Sequence, residues 1–161
     1  MRFTNDKDLI SDYNIEPKTL VTFIKALQKN YYNNPYHNFF HAIDVAQMCY
    51  MFLVRSKLKD FIRYLRRISL SHHSSKQDVL VLMVSALCHD LCHPGLNNPF
   101  QVNAKTDLAL LYNDNAVLEN HHCCQTFNLL KDPANNILVG LNPTEGKGIH
   151  IELVYCTNTT C

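Results

Sequence analysis

Apolar residues recur along the chain at helical rather than alternating spacing. Behind Glu16-Pro17, the positions Leu20, Phe23, Ile24, Leu27 and Tyr31 predict an amphipathic core helix with proline in its first turn. Asn33-Asn34-Pro35 predicts the turn that ends it. A second helix is expected from about Asn38 to Arg55, with Ala42, Val45, Ala46, Cys49, Phe52 and Leu53 inward. The third starts near Lys76-Gln77-Asp78 and carries Val79, Leu80, Leu82, Met83, Ala86 and Leu87, apolar nearly all round, so it reads as a central helix. A fourth is expected from about Asn98 to Tyr112, through Val102, Ala104, Leu108, Ala109 and Leu111. Asn113-Asp114-Asn115 breaks it, and Asp114 or Asn115 can cap a fifth helix over roughly Ala116 to Leu130, which Lys131-Asp132-Pro133 stops.

Two stretches lack this order. Residues 56–76 interleave Arg63, Arg66 and Arg67 with Phe61, Ile62, Tyr64 and Leu65, then run into Ser71-His72-His73-Ser74-Ser75. A basic amphipathic segment can touch a membrane or calmodulin, but without a sustained apolar face a solvated connection is favoured. The adjacent His72 and His73 point apart on a helix and carry no metal role. Near the end, Asn142-Pro143-Thr144-Glu145 reads as a capped helix start that Gly146 and Gly148 then weaken. No repeat or linker divides the chain, so the fold class is all-α: a compact multi-helix bundle in one domain over 1–161, incomplete in its tail.

Composition narrows the classes. At 161 residues the chain can bury a core, and 47% hydrophobic against 18% charged content is that of a globular protein. A net charge of +1 supplies no field for nucleic acid or an anionic membrane. The longest apolar run, Val79 to Cys88, is too short to span a bilayer, and Met1 to Lys7 has no signal-peptide core. Seven cysteines, several in apolar helical settings, therefore read as reduced thiols of an intracellular, cytoplasmic protein.

Histidine carries the chemistry. His37 and His41 flank the start of the second helix; His89-Asp90 and His93 end the third; Glu119 and His122 lie on the fifth. Singly, His37 and His41 read more simply as a cap and a satisfied core histidine. Together, imidazole and carboxylate without thiolate suit zinc, or zinc paired with magnesium or manganese. An aspartate can bridge two such cations around a shared water, and a spare histidine can act as general acid. A structural zinc site is disfavoured, because Cys88 and Cys92, Cys123-Cys124, and Cys156 and Cys161 do not supply the short paired spacings of zinc modules.

These residues also carry a resemblance. His89-Asp90-Leu91-Cys92-His93-Pro94-Gly95-Leu96-Asn97-Asn98 resembles the H-D-x-x-H-x-G-x-x-N signature of class I 3',5'-cyclic nucleotide phosphodiesterases. Tyr36 to His41 is similar to the family's H-N-x-x-H, Tyr112-Asn113-Asp114 to Y-N-D, and Leu118 to His122 to L-E-N-H-H. The surrounding wording, Tyr32 to Pro35 and Val45 to Met48, most resembles the high-affinity cGMP-specific subfamily. The likeness covers about residues 8–140, apart from an apparent insertion over 61–75 and a divergent tail over 141–161. It implies the N-terminal part of an HD-like helical catalytic domain that hydrolyses the 3' phosphoester of a cyclic nucleotide, cGMP favoured and cAMP allowed.

Carried over residue by residue, the resemblance makes His41, His89 and Asp90 ligands of a zinc-like ion, with Asp90 bridging to a magnesium- or manganese-like one. His93 and Glu119 then hydrogen-bond the waters or the metal-bridging hydroxide, and His37 donates a proton to the departing O3'. Gly95 and Asn98 shape the turn after the ligands. His121, His122 and Asp114 read as interhelical hydrogen bonds rather than as helpers of the site. The partner implied is a small cyclic nucleotide, and a homodimer is compatible with it.

Two departures qualify this expectation. Cys92 stands where the family has aspartate, which predicts altered surroundings for the metals. Nothing after Glu145 resembles the family's later metal-binding aspartate or base-gripping glutamine, and Glu152 has the wrong surroundings. The chain is thus expected either to belong to an enzyme whose activity it does not support alone, or to be a truncated, noncatalytic relative.

Overall fold

A computed structural model describes residues 9–55 and 75–141, all in helices and turns with no strand among them. The helices are α1 (Leu9–Asp12), α2 (Pro17–Asn30), α3 (Phe39–Arg55), α4 (Ser75–Cys88), α5 (Asn98–Asn103), α6 (Asp107–Leu111) and α7 (Val117–Leu130). The expected insertion at 61–75, save Ser75, and the expected helix start at Asn142 lie outside the described residues. So do His72 and His73 and the cysteines at 156 and 161.

α2 starts and stops as its residues require. Glu16 is extended and Pro17 takes the first turn, where its missing N–H costs nothing. Tyr31 leaves the helix while its N–H still reaches the Leu27 carbonyl. Phe23 and Leu27 are wholly buried, against Leu80, Val81, Val84 and Cys88 of α4 and Leu130 of α7. Each such side chain contributes roughly 1.5–3 kcal/mol by leaving water. The Tyr31 hydroxyl donates to the Leu87 carbonyl at 3.0 Å, which satisfies the end of the buried helix α4. A smaller cluster, Ala46 and Leu53 with Met83 and Ala86, joins α3 to α4. The turn 137–140 closes the base of this core through Ile137, and Gly140 lies so near that a Cβ there would stand 2.5 Å from the Tyr13 carbonyl oxygen.

Three expectations need correction. The single helix expected over 98–112 is two, because Lys105 adopts a left-handed φ of 50° and Thr106 caps a new start by accepting from the Ala109 N–H. Thr106 also donates to buried Gln101 at 2.6 Å, so the break is held by its own hydrogen bonds. Phe52, expected inward, is 53% exposed: Ala46 and Leu53 already take the contact with α4. Finally, neither Asp114 nor Asn115 caps α7. Left-handed Ala116 occupies that position without a side-chain bond, and the Leu118 N–H instead donates to Asn98 Oδ1, 2.9 Å away. The short helix α1 was not signalled by any periodic pattern.

That tertiary cap generates a prediction. Asn98 also donates to both Glu119 oxygens at 3.0 Å, so one carboxamide ties the loop after α4 to the start of α7. Asn98→Ala is expected to lower unfolding stability by about 1–3 kcal/mol, measured by urea titration, because a buried helix-end N–H and a buried carboxylate each lose a partner.

Candidate active site

The site is assembled at helix ends. Asn38 caps α3, its Oδ1 accepting from the N–H groups of Phe40 and His41 at 3.0 and 3.2 Å. His41 thus stands in the first turn, whereas His37 precedes the cap and is not on the helix. His89 and Asp90 follow the last residue of α4 in a turn closed by Leu91 N–H to Cys88 O and His93 N–H to Asp90 O. His93, too, is outside any helix. α7 brings Glu119 and His122 from its first turns, both buried. His37, His41, His89, Asp90, His93, Glu119 and His122 all line one cavity of about 690 Å³, rimmed by the exposed apolar side chains of Leu96 and Phe100.

The tightest feature is a triangle of donor atoms. His89 Nε2 lies 3.0 Å and His41 Nε2 3.4 Å from Asp90 Oδ2, and the two nitrogens are 3.3 Å apart. Ligand atoms at zinc bond lengths in a tetrahedral arrangement sit about 3.2–3.5 Å from one another. The set therefore fits a cation that His41, His89 and Asp90 could hold. His89 is prepared for this: its Nδ1 faces the Ala86 carbonyl at 3.0 Å, an acceptor only, so Nδ1 carries the proton and Nε2 is left for the ion.

The donor atoms of His37, Asp90 and His93 also lie within 4.8 Å of one another. These three do not make a second such site. The His37 and His93 rings are stacked, centroids 3.9 Å apart and only 7° from parallel. An imidazole offers its lone pair in the ring plane, so two stacked rings cannot aim at one ion. Moreover, His93 Nδ1 accepts from the Gly95 N–H at 2.9 Å, which leaves a proton on Nε2. His93 is a hydrogen-bond donor toward the cavity. Its other face meets His122 at 5.3 Å and 17°, so three imidazoles form a column behind Asp90.

Electrostatics follow burial and contact. Burial opposes charge on His89 and on Asp90, but their mutual hydrogen bond and charges outweigh it, raising His89 and lowering Asp90 from their ordinary values. Each of the pair therefore favours the charged form of the other. Burial lowers His93, with the neighbouring His37 adding to it, and lowers His41, with His89 adding to it. His122 is pulled down to about 4, chiefly by burial, and its Nδ1 donates to the Leu91 carbonyl at 2.7 Å while Nε2 faces Asp90 Oδ1 at 3.9 Å.

Comparison with known proteins decides the lineage. The 3'5'-cyclic nucleotide phosphodiesterase family profile matches residues 36–160. The chain belongs to that family. The high affinity cGMP-specific 3',5'-cyclic phosphodiesterase 9A of Homo sapiens is 41% identical over 157 residues, 96% of this chain and 24% of that one. The 3',5'-cyclic-nucleotide phosphodiesterase regA of Dictyostelium discoideum is 41% identical over 150 residues, 91% of this chain and 17% of that one. A crystal structure of the phosphodiesterase domain of a rhodopsin fusion protein from Salpingoeca rosetta superposes with a TM-score of 0.80 at 31% identity, covering 93% of this chain and 43% of that one. The chain thus spans about a quarter or less of these curated relatives and under half of the solved domain.

The structure brings the residues expected from the sequence, His37, His41, His89, Asp90, His93 and Glu119, to one cavity. It corrects Cys92. That thiol is not among the cavity's lining residues; its Sγ lies 3.9 Å from Asn30 Oδ1 and its N–H donates to the Asn30 carbonyl, so it ties the loop to α2. His121 bonds the Cys92 carbonyl, so the contact expected between helices is made instead to the loop after α4. His122 does the same with Leu91, yet it also faces Asp90, which the sequence reading passed over. The adjacent pair in Leu118 to His122 held that signal: with Glu119 inward, His122 one helical step on shares its face.

Two measurements test these electrostatics. Zinc at His89 Nε2 would compete with a proton there, so calorimetry in buffers of different ionisation enthalpy is expected to show proton release that grows as pH is lowered. Because His89 is raised, that competition begins at a higher pH than for an ordinary imidazole. For His122 the folded value is below the ordinary 6.5, so the unfolded chain binds more protons between those values. Its stabilisation is full above about 6.5 and is lost as pH falls toward about 4, roughly 3 kcal/mol in metal-free protein. Urea midpoints across that range measure the slope, which His122→Gln is expected to flatten.

Proposed function

We propose that this chain carries the metal-binding part of a site that hydrolyses the 3' phosphoester of a 3',5'-cyclic nucleotide to the 5'-monophosphate. The observation that carries the reading is the triangle of His41 Nε2, His89 Nε2 and Asp90 Oδ2, whose 3.0–3.4 Å spacings fit one cation. His41, His89 and Asp90 would hold a zinc ion, and Asp90 would also help to hold a second ion, magnesium or manganese. When bound, such cations supply an activated water and neutralise charge on the phosphate.

The chain's own residues do the rest. His93 Nε2–H donates into the cavity and orients water there, helped by the Glu119 carboxylate that Asn98 steadies. His37, stacked on His93 at the cavity wall, is the general acid that gives a proton to the departing O3'. Leu96 and Phe100 keep one rim apolar, which favours a ligand with a flat heterocycle over a bare phosphate. The 41% identity to the cGMP-specific relative supports cGMP as substrate, and the equal identity to regA leaves cAMP allowed. Free thiols at Cys49, Cys88, Cys92, Cys123 and Cys124, and the absence from the described residues of any helix long and apolar enough to cross a membrane, accord with a cytoplasmic setting.

A noncatalytic reading has its own support. Among the described residues only Asp90 and Glu119 bring carboxylates to the cavity, and Glu119 is engaged by Asn98. The 161-residue chain is therefore expected to bind one zinc, weakened more than about 10-fold by His41→Ala, and to show little turnover of cGMP or cAMP. In any longer product of the same reading frame, His37→Ala is expected to cut kcat by about 10²–10⁴-fold with zinc content unchanged. Failure of the chain to bind zinc would overturn the metal reading, and near-normal turnover by the chain alone would overturn the noncatalytic one.

A further inference from the structure

His37 and His93 come from segments far apart in sequence, yet their rings lie face to face within 7° of parallel. Aromatic rings prefer offset or edge-on contacts to a face-to-face stack, so holding these two parallel draws on the backbones that carry them. His93 has its ring orientation set locally, by the Gly95 N–H on its Nδ1. What remains is the offset between its loop and the loop of His37. Asn34 spans that gap. Its Nδ2 lies 2.8 Å from the His93 carbonyl and 3.1 Å from the His37 carbonyl. Both partners accept only, so the carboxamide orientation is determined, and its two protons serve one carbonyl each.

Asn34 is itself held. Its carbonyl accepts from Asn38 Nδ2 at 2.9 Å, the same side chain that caps α3 ahead of His41. On the other side, a Cβ at Gly95 would stand 3.1 Å from Asn34 Oδ1, so the glycine leaves room for the carboxamide to sit against the loop. We propose that Asn34 is a positioning residue of this site: one carboxamide nitrogen, donating to the His37 and His93 carbonyls, sets the stacking of the two imidazoles. The role given to His37 rests on the proposed function; the positioning itself does not.

The test reads the rings directly. In the metal-free chain, imidazole proton signals of His37, assigned with His37→Gln, are displaced by the ring current of His93, and His93→Gln abolishes that displacement. Asn34→Asp keeps the side-chain size, removes both donor protons and sets a carboxylate against two carbonyls. It is expected to abolish the displacement while leaving helical circular dichroism and zinc affinity unchanged. A displacement that survives in folded Asn34→Asp overturns the proposal. If Asn34→Asp does not fold, Asn34→Ser decides: with one proton for two carbonyls it is expected to diminish the displacement, and the full displacement overturns the proposal. Failure of the unaltered chain to bind zinc bears only on the proposed function, since the ring signals are read without metal.

Discussion

Asp90 sets the terms for everything around it. It follows an apolar helix whose last residue, Cys88, is wholly buried, so its charge sits where water reaches it poorly. A carboxylate there persists only if positive charge or hydrogen-bond donors meet it. The fold answers with imidazoles: His41 and His89 at one oxygen, His122 near the other. In metal-free protein the neighbouring His89 imidazole favours the charged carboxylate, and a cation held by the same three side chains would serve the same end. Stability and metal affinity are thus two readings of one local problem.

The scaffold around that carboxylate is built largely from asparagine. Asn38 caps α3, Asn98 caps α7 from a distance and holds Glu119, Asn97 caps α5, and Asn34 joins the two histidine loops. Each places backbone ends where a small amide can both donate and accept. A site at helix ends has many such unpaired backbone groups, and satisfying them is also what orients the histidines. Several of these turns also need left-handed backbone: Cys92, Asn113, Asp114 and Ala116 all adopt positive φ in the loops after α4 and before α7.

Periodicity revealed where the long helices lie. α2, α3, α4 and α7 match their expected spans to within a few residues, because a long amphipathic stretch has one way to bury its apolar face. The errors fall where local bonding overrides pattern. The break at Lys105-Thr106 is made by Thr106 and Gln101, invisible to hydrophobic spacing. The outward turn of Phe52 reflects competition for α4 that a single helix cannot show. The cap on α7 comes from a residue 20 positions before the N–H it accepts.

By itself the sequence determined the helical class, the lineage and the short list of metal-capable side chains, since these depend on residue type and near-neighbour spacing. It could not determine that His37 and His93 stack rather than share an ion, that His122 looks onto Asp90, or that Cys92 turns to α2 instead of the cavity. Those outcomes depend on how helix ends from distant segments meet. Only the packed core of α2, α4 and α7 brings them together, and ring planes and donor directions exist only after it forms.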